Sequence, residues 1–260
     1  MRQGWPVSNG PIAPILDAHF HVFAPGVPMP GNAGHVPPPF SVEDYRAAAA
    51  PLGVVGGVVV AGSVQGGDPA PLLAAAAALG PRFAVVAQAR AGMDDDAFAA
   101  LAAAGVRGLR YSLYRGQWGS PQAVASHAAR AAAHGLHAQV YADAAALAPA
   151  VDALARLPAG LVVDHLGMTE AGLPVVLDLA AAGAKVKASG FGRVAMEVPR
   201  ALARIAARAP GALVFGTDLP SVRAARPFAA SDVALLREVL GGGAAAAAAL
   251  HNTAAAFYRI

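Results

Sequence analysis

The chain has 260 residues, of which 56% are hydrophobic and 13% charged, so it can bury a substantial core and disorder is disfavoured. Seventeen arginines and two lysines against 16 acids leave a formal net charge of +3 with no basic run, which argues against a nucleic-acid partner. There is no cysteine, so disulfides and thiolate chemistry are excluded. Alanine tracts such as Ala74–Ala78 and Ala244–Ala249 favour helix but are too weakly apolar to span a membrane, and nothing else approaches the ~18 apolar residues a span requires. Residues 1–14 show no charged-then-apolar leader, so the expectation is a cytoplasmic protein with a small-molecule substrate and no membrane.

Short apolar runs predict strands at 15–21, 57–63, 83–90, 105–113, 137–143, 161–167, 185–190 and 213–218. Longer Ala/Leu/Arg segments predict helices near 41–52, 68–79, 94–104, 120–134, 144–157, 170–182, 196–209 and 231–240, with a last one at 244–257. Eight strand–helix units predict an α/β fold in which residues 1–260 form one (β/α)8 TIM barrel domain. Gly53, Gly80, Gly105, Gly135, Gly160 and Gly183 punctuate the helix ends. An open doubly wound sheet is the weaker alternative, because no G-x-G-x-x-G follows the first strand and Gly62–Gly67 lacks that spacing. The segment 24–40, with six prolines in 17 residues, cannot be regular helix or internal strand and is expected either as a lid or wall over the barrel mouth or as an irregular surface loop.

Three predicted strands end in ionisable residues: Asp17-Ala18-His19-Phe20-His21, Val163-Asp164-His165 and Phe215-Gly216-Thr217-Asp218. His19 and His21, two apart on a strand, point to one side, and the C-terminal strand ends are where barrels place their chemistry. Asp218 suits a general base that activates water. His19, His21 and His165 can donate N–H bonds to a carbonyl, or can hold one zinc ion together with Asp218. The simpler readings are a packed His pair, a packed strand-end His165, and Asp218 as a helix cap. Asp17 and Asp164 are read as inward structural residues. His35, His127, His134, His137 and His251 are placed in loops or helices with surface or packing roles.

Asp-Ala-His-Phe-His-Val-Phe at 17–23, Val-Arg-Gly-Leu-Arg-Tyr at 106–111, Val-Asp-His-Leu-Gly at 163–167 and Phe-Gly-Thr-Asp-Leu-Pro at 215–220 resemble the amidohydrolase superfamily. More narrowly they are similar to its "amidohydrolase 2" branch of lactonases, which includes the 2-pyrone-4,6-dicarboxylate lactonases. The resemblance runs from about residue 15 to Tyr258. It implies that Asp218 activates water while His19, His21 and His165 hold the carbonyl. No cofactor is then required, and one zinc is the alternative. Superfamily members with two metals bridge them through a lysine in a middle strand; Lys185 and Lys187 both fall in strand 7, so a binuclear site is not expected. The resemblance further implies substrate contacts from Ser63, Arg110 and Arg193. Arg115, just past strand 4, and Asn252, which resembles the family's C-terminal asparagine, are further candidates. A guanidinium at a strand end can bind a carboxylate by two parallel bonds, and a surface ion pair is the plainer reading of each.

The departures bear on the substrate. Met168 stands where the dicarboxylate lactonases carry an arginine, Leu219 replaces a Trp, Ser221 replaces a His, and the first loop lacks the family's Arg/Tyr cluster. Loss of a carboxylate clamp argues against the pyrone dicarboxylate itself and favours a monocarboxylate, muconate-derived or sugar lactone. A lactone isomerase or non-oxidative decarboxylase on the same scaffold is the second reading, and a non-catalytic small-molecule binder the third. The sequence leaves the oligomeric state undetermined.

Overall fold

The computed structural model describes residues 14–260, so the opening segment read as leaderless lies, but for Pro14, outside the described residues. Eight strands run in sheet order: β1 Ile15–Phe20, β2 Val54–Val60, β3 Phe83–Gln88, β4 Val106–Ser112, β5 His137–Tyr141, β6 Leu161–Val163, β7 Lys185–Ala188 and β8 Leu213–Phe215. Every neighbouring pair from β1–β2 to β7–β8 is parallel. The connections carry the helices α1 Val42–Ala49, α2 Ala70–Leu79, α3 Asp95–Ala103, α4 Pro121–Ala133, α5 Val151–Ala155, α6 Leu173–Ala181 and α7 Val198–Arg208. After β8 come α8 Ala230–Val239, α9 Gly243–Ala247 and α10 Thr253–Tyr258. This is the expected (β/α)8 barrel as a single domain. No helix among the described residues is long and apolar enough to cross a membrane.

Local chemistry sets the boundaries. Ser41 and Asp44 form a reciprocal capping box on α1, and the side chains of Asp94 and Ser120 cap α3 and α4. The six punctuating glycines all take positive φ. Four expected helices are broken, the first of them, 41–52, ending in a 3₁₀ turn over Ala50–Leu52 that contains Pro51. The first part of 144–157 is a 3₁₀ run over Ala144–Ala150, since Pro149 has no N–H to continue an α-helix. Segment 170–182 opens with a 3₁₀ turn at Glu170–Gly172 before Pro174 starts α6, and the C-terminal helix carries a π-turn at Ala248–Asn252. Strands 6 and 8 end earlier than expected, at Val163 and Phe215, because the chain turns away there to aim His165 and Asp218 inward. His137 opens β5 rather than lying in a loop or helix. Its ring covers Gly108, where a Cβ would sit 2.4 Å from it, and packs edge-on against Phe257 and Tyr258.

The barrel interior is dry at the N-terminal end and polar at the other. Leu16, Ala18, Val58, Val60, Ala84, Val86 and Val214 form an inner apolar cluster plugged by Tyr258 of α10. The β1–β2 register slips between Asp17 and Phe20, so Phe20 stacks outward on Tyr45 while His19 reaches Lys187 and Asp164 inside. The ring closes between the ends of β1 and β8. Asp218 N–H donates to the His19 carbonyl (2.7 Å) and His21 N–H to the Leu219 carbonyl (2.8 Å). The buried Asp17 carboxylate accepts from Thr217 N–H (2.8 Å) and the Thr217 hydroxyl (2.7 Å). The bonds that close the barrel are therefore the bonds that place the site residues.

The segment 24–40 is held antiparallel at its ends by the Phe23–Phe40 bridge. Gly31 N–H donates to the Val64 carbonyl (3.1 Å) and Asn32 Nδ2 to the Arg115 carbonyl (3.3 Å), while Arg223 donates to Asn32. It thus touches the loops after β2, β4 and β8.

Candidate active site

His19, His21, His165 and Asp218 meet at the C-terminal mouth. Asp218 Oδ1 lies 3.7 Å from His19 Nε2, 3.7 Å from His21 Nε2 and 3.8 Å from His165 Nε2. All four residues are buried. His165 (φ +49°) and Asp218 (φ +59°) both hold the left-handed backbone region, which is costly for residues with a Cβ and is found at functional sites. Two glycines make room: a Cβ on Gly216 would lie 2.6 Å from His19 Cβ, and one on Gly190 (φ +62°) 2.7 Å from His165 Nδ1.

The outer nitrogen of each histidine has its own partner. His21 Nδ1 donates to the Val60 carbonyl at 2.7 Å, which leaves Nε2 as a lone pair. His19 Nδ1 lies 3.1 Å from Lys187 Nζ and 3.4 Å from Asp164 Oδ1, and His165 Nδ1 lies 2.9 Å from the Ser189 hydroxyl. Burial keeps all three rings neutral, His165 being pushed down to about 3. Lys187 is wholly buried and also donates to Gln139 Oε1 at 2.8 Å; burial lowers it to about 7 against the opposing pull of Asp164. Burial would raise Asp218, but the Arg193 guanidinium and the His165 ring beside it hold it below the usual carboxylate range. Asp164 is held well below that range against its burial by Arg110, His19 and Lys187.

The cleft above these groups is lined by Ser63, Arg110, Arg115, Tyr141, Arg193 and Arg223 together with His21, His165 and Asp218. Arg110 spans Asp164 Oδ2 (2.9 Å) and the Ala61 carbonyl (3.0 Å). Arg193 is engaged by the second oxygen of Asp218, with Nε at 2.8 Å. The structure thus places Ser63, Arg110, Arg115 and Arg193 around one opening, although Arg110 and Arg193 each already hold a carboxylate of the protein. Asn252 is not among them. It is exposed beside His251, whose Nε2 meets Arg82 just ahead of β3, at the opposite end of the barrel. Four residues of the site were not expected there from the sequence: Lys187, Gln139, Tyr141 and Arg223. Only a lysine two residues before Ser-Gly at a strand end could have drawn attention to Lys187.

The site can accommodate a cation. His19 Nε2, His165 Nε2 and Asp218 Oδ1 are buried without a hydrogen-bond partner, and ligand atoms of His19, His21 and Asp218 all lie within 4.8 Å of one another. The same orphaned atoms equally suit a polarised carbonyl and a water, so the donor set fits both.

A curated relative, 2-pyrone-4,6-dicarboxylate hydrolase of Comamonas testosteroni, is 30% identical over 159 residues, 60% of this chain. The chain spans about half the length of that relative (52%). Among solved structures, a probable 2-pyrone-4,6-dicarboxylic acid hydrolase from Acinetobacter baumannii with citric acid bound superposes with a TM-score of 0.82 at 17% identity, covering 95% of this chain and 99% of its own. An amidohydrolase from Burkholderia multivorans with bound zinc gives 0.72 at 21% identity, covering 95% and 100%. Residues 16–260 match the family model described as amidohydrolase, and the chain belongs to the amidohydrolase family.

Proposed function

We propose that this protein is a hydrolase that opens a lactone ring by adding water at its carbonyl. The observation that carries this reading is the convergence of three neutral histidine Nε2 atoms on one oxygen of a single carboxylate, at 3.7, 3.7 and 3.8 Å. These atoms are nearly in contact with one another, so base and donors meet at one point at the foot of the cleft, where a carbonyl and a water entering from the cleft side can be reached by both. The similarity to the Comamonas testosteroni hydrolase supports the same chemistry.

The roles follow from donor and acceptor chemistry. Lys187 donates to His19 Nδ1, so His19 presents Nε2–H to the carbonyl oxygen. His165 presents the same when the Ser189 hydroxyl donates to its Nδ1. His21, whose proton sits on Nδ1, presents a lone pair that orients the water. Asp218 Oδ1 takes a proton as the water oxygen bonds to the carbonyl carbon, and the oxyanion is held by the His19 and His165 N–H groups. The ring C–O bond then breaks, and the departing oxygen takes the proton back from Asp218, giving a hydroxy or keto acid. His19, His21 and Asp218, joined by His165 whose Nε2 lies 3.8 Å from the same carboxylate oxygen, would be the ligands of a single zinc ion, which when bound would supply Lewis-acid polarisation of the carbonyl. Ser63, Arg110, Arg115 and Arg193 line the cleft in which the rest of the substrate lies.

Acid release from a panel of carboxylate-bearing, muconate-derived and sugar lactones, followed by a pH indicator, tests the reading. Turnover of at least one lactone is expected. An inert panel, with lactone isomerisation or carbon dioxide release from related acids, would replace it with the isomerase or decarboxylase.

A further inference from the structure

The arginines at the cleft differ in what neutralises them. Arg110 is paired with Asp164 and Arg193 with Asp218, the only acidic residue in the lining among the described residues. Arg115 and Arg223 have no carboxylate partner among the described residues. Both are half-buried, one on the loop after β4 and the other on the loop after β8. Asn32 ties their two loops together, gripping the Arg223 guanidinium and the Arg115 main chain. Its Oδ1 accepts from Arg223 Nη1 at 3.1 Å, its carbonyl accepts from Arg223 Nη2, and its Nδ2 donates to the Arg115 carbonyl at 3.3 Å.

An amide orients a guanidinium but does not neutralise it. Two guanidiniums on one side of a cleft repel each other, and Arg115 accordingly adds to the desolvation that lowers Arg223. An anion seated between them relieves both the repulsion and the lost hydration, and the planar fork of Arg matches a carboxylate. The rings of Tyr114 and Tyr141 lie 5.4 and 5.7 Å from the Arg115 guanidinium carbon and limit how far it can swing. The loss of arginine at position 168 does not count against a second anion. Met168 is buried at 2% exposure and is not part of the cleft lining.

We propose that Arg223 and Arg115 form a second anion subsite at the cleft mouth, which takes a substrate carboxylate remote from the histidine-held carbonyl and makes Arg223 a specificity-determining residue. The identity of the ligand as a substrate rests on the lactone reading; the anion subsite itself does not. Carboxylate-bearing lactones are favoured over neutral sugar lactones on this account.

Binding of benzene-1,3-dicarboxylate and benzoate, neither of which can be hydrolysed, is measured by calorimetry on wild type, Arg223→Gln and Asn32→Ala. Wild type is expected to bind the dicarboxylate about ten-fold more tightly than benzoate, the worth of one charged hydrogen-bonded pair. Arg223→Gln is expected to abolish that preference while leaving benzoate within about two-fold, and Asn32→Ala, which keeps the charge, to retain it. Equal affinity of wild type for the two acids overturns the subsite. So does equal loss of the preference in Asn32→Ala and Arg223→Gln, which would assign the effect to loop anchoring. Because no turnover is read, these failures are distinct from a failure of the lactone panel.

Discussion

Gly216 packs its Cα against His19, and the space a side chain would need is already filled by that residue's Cβ and backbone nitrogen, at 2.6 and 2.9 Å from an added Cβ. Gly216→Ala must therefore push β1 and β8 apart at the site; thermal denaturation should show a loss of about 1–3 kcal/mol from overpacking. Turnover should fall further than stability alone would account for, since His19 moves with the strand. Thr217 gives both its N–H and its hydroxyl to Asp17, whose burial raises it to about 6 in spite of these bonds. Thr217→Val removes the hydroxyl donor from a buried carboxylate and should cost about 1–3 kcal/mol in urea unfolding. His19, His21, His165 and Asp218 were legible because each ends an apolar run. Lys187, Gln139 and Tyr141 were not, because what makes them part of the site is a partner far off in sequence: Lys187 meets His19 across 168 positions. Arg223 sits in a loop of ordinary composition, and only its seat beside Asn32 and Arg115 distinguishes it.

The strands do more than carry residues to the mouth. The register slip in β1 lets one short strand fill the dry core with Leu16 and Ala18 and then supply the site with His19 and His21, a detail that strict alternation does not reveal. β6 and β8 are only three residues long, and their early ends could not be seen in sequences that read as continuous apolar runs. The start of β5 carries a pH consequence. Burial lowers His137 from 6.5 to about 3, as it does His165, so both stay neutral in the fold where the unfolded chain is protonated. Their contribution to stability is complete above about pH 6.5 and is lost progressively as pH falls towards 3. Asp17, raised from 3.8 to about 6, acts in the opposite sense between those values. With His19 and His21 lowered by burial in the same sense, the histidines outweigh this one carboxylate, and the urea midpoint should fall between about pH 7 and pH 5. His137→Phe, which keeps a ring over Gly108, should make that fall shallower; an unchanged slope would remove His137 from the account.

At the scale of the molecule, the barrel gathers residues from positions 19 to 223 at one end and leaves the other end dry behind Tyr258. The strand and helix count, their alternation and the punctuating glycines made this architecture readable before any coordinate. Charge distribution was not readable in the same way. A net charge of +3 gives no hint that four arginines face one cleft with two of them already neutralised. The seam between β1 and β8 ties fold to function, because its backbone bonds run between His19, His21, Asp218 and Leu219. Loosening the seam is thus expected to lower activity before the barrel unfolds. The central claim is that Asp218 is the base of a hydrolysis. The most direct test compares acid release by wild type and Asp218→Asn on a lactone that wild type opens, with zinc content measured on both. A fall in kcat of about 10²–10⁴-fold in a variant that still unfolds cooperatively is the expected result. Turnover by Asp218→Asn within a few-fold of wild type would contradict it.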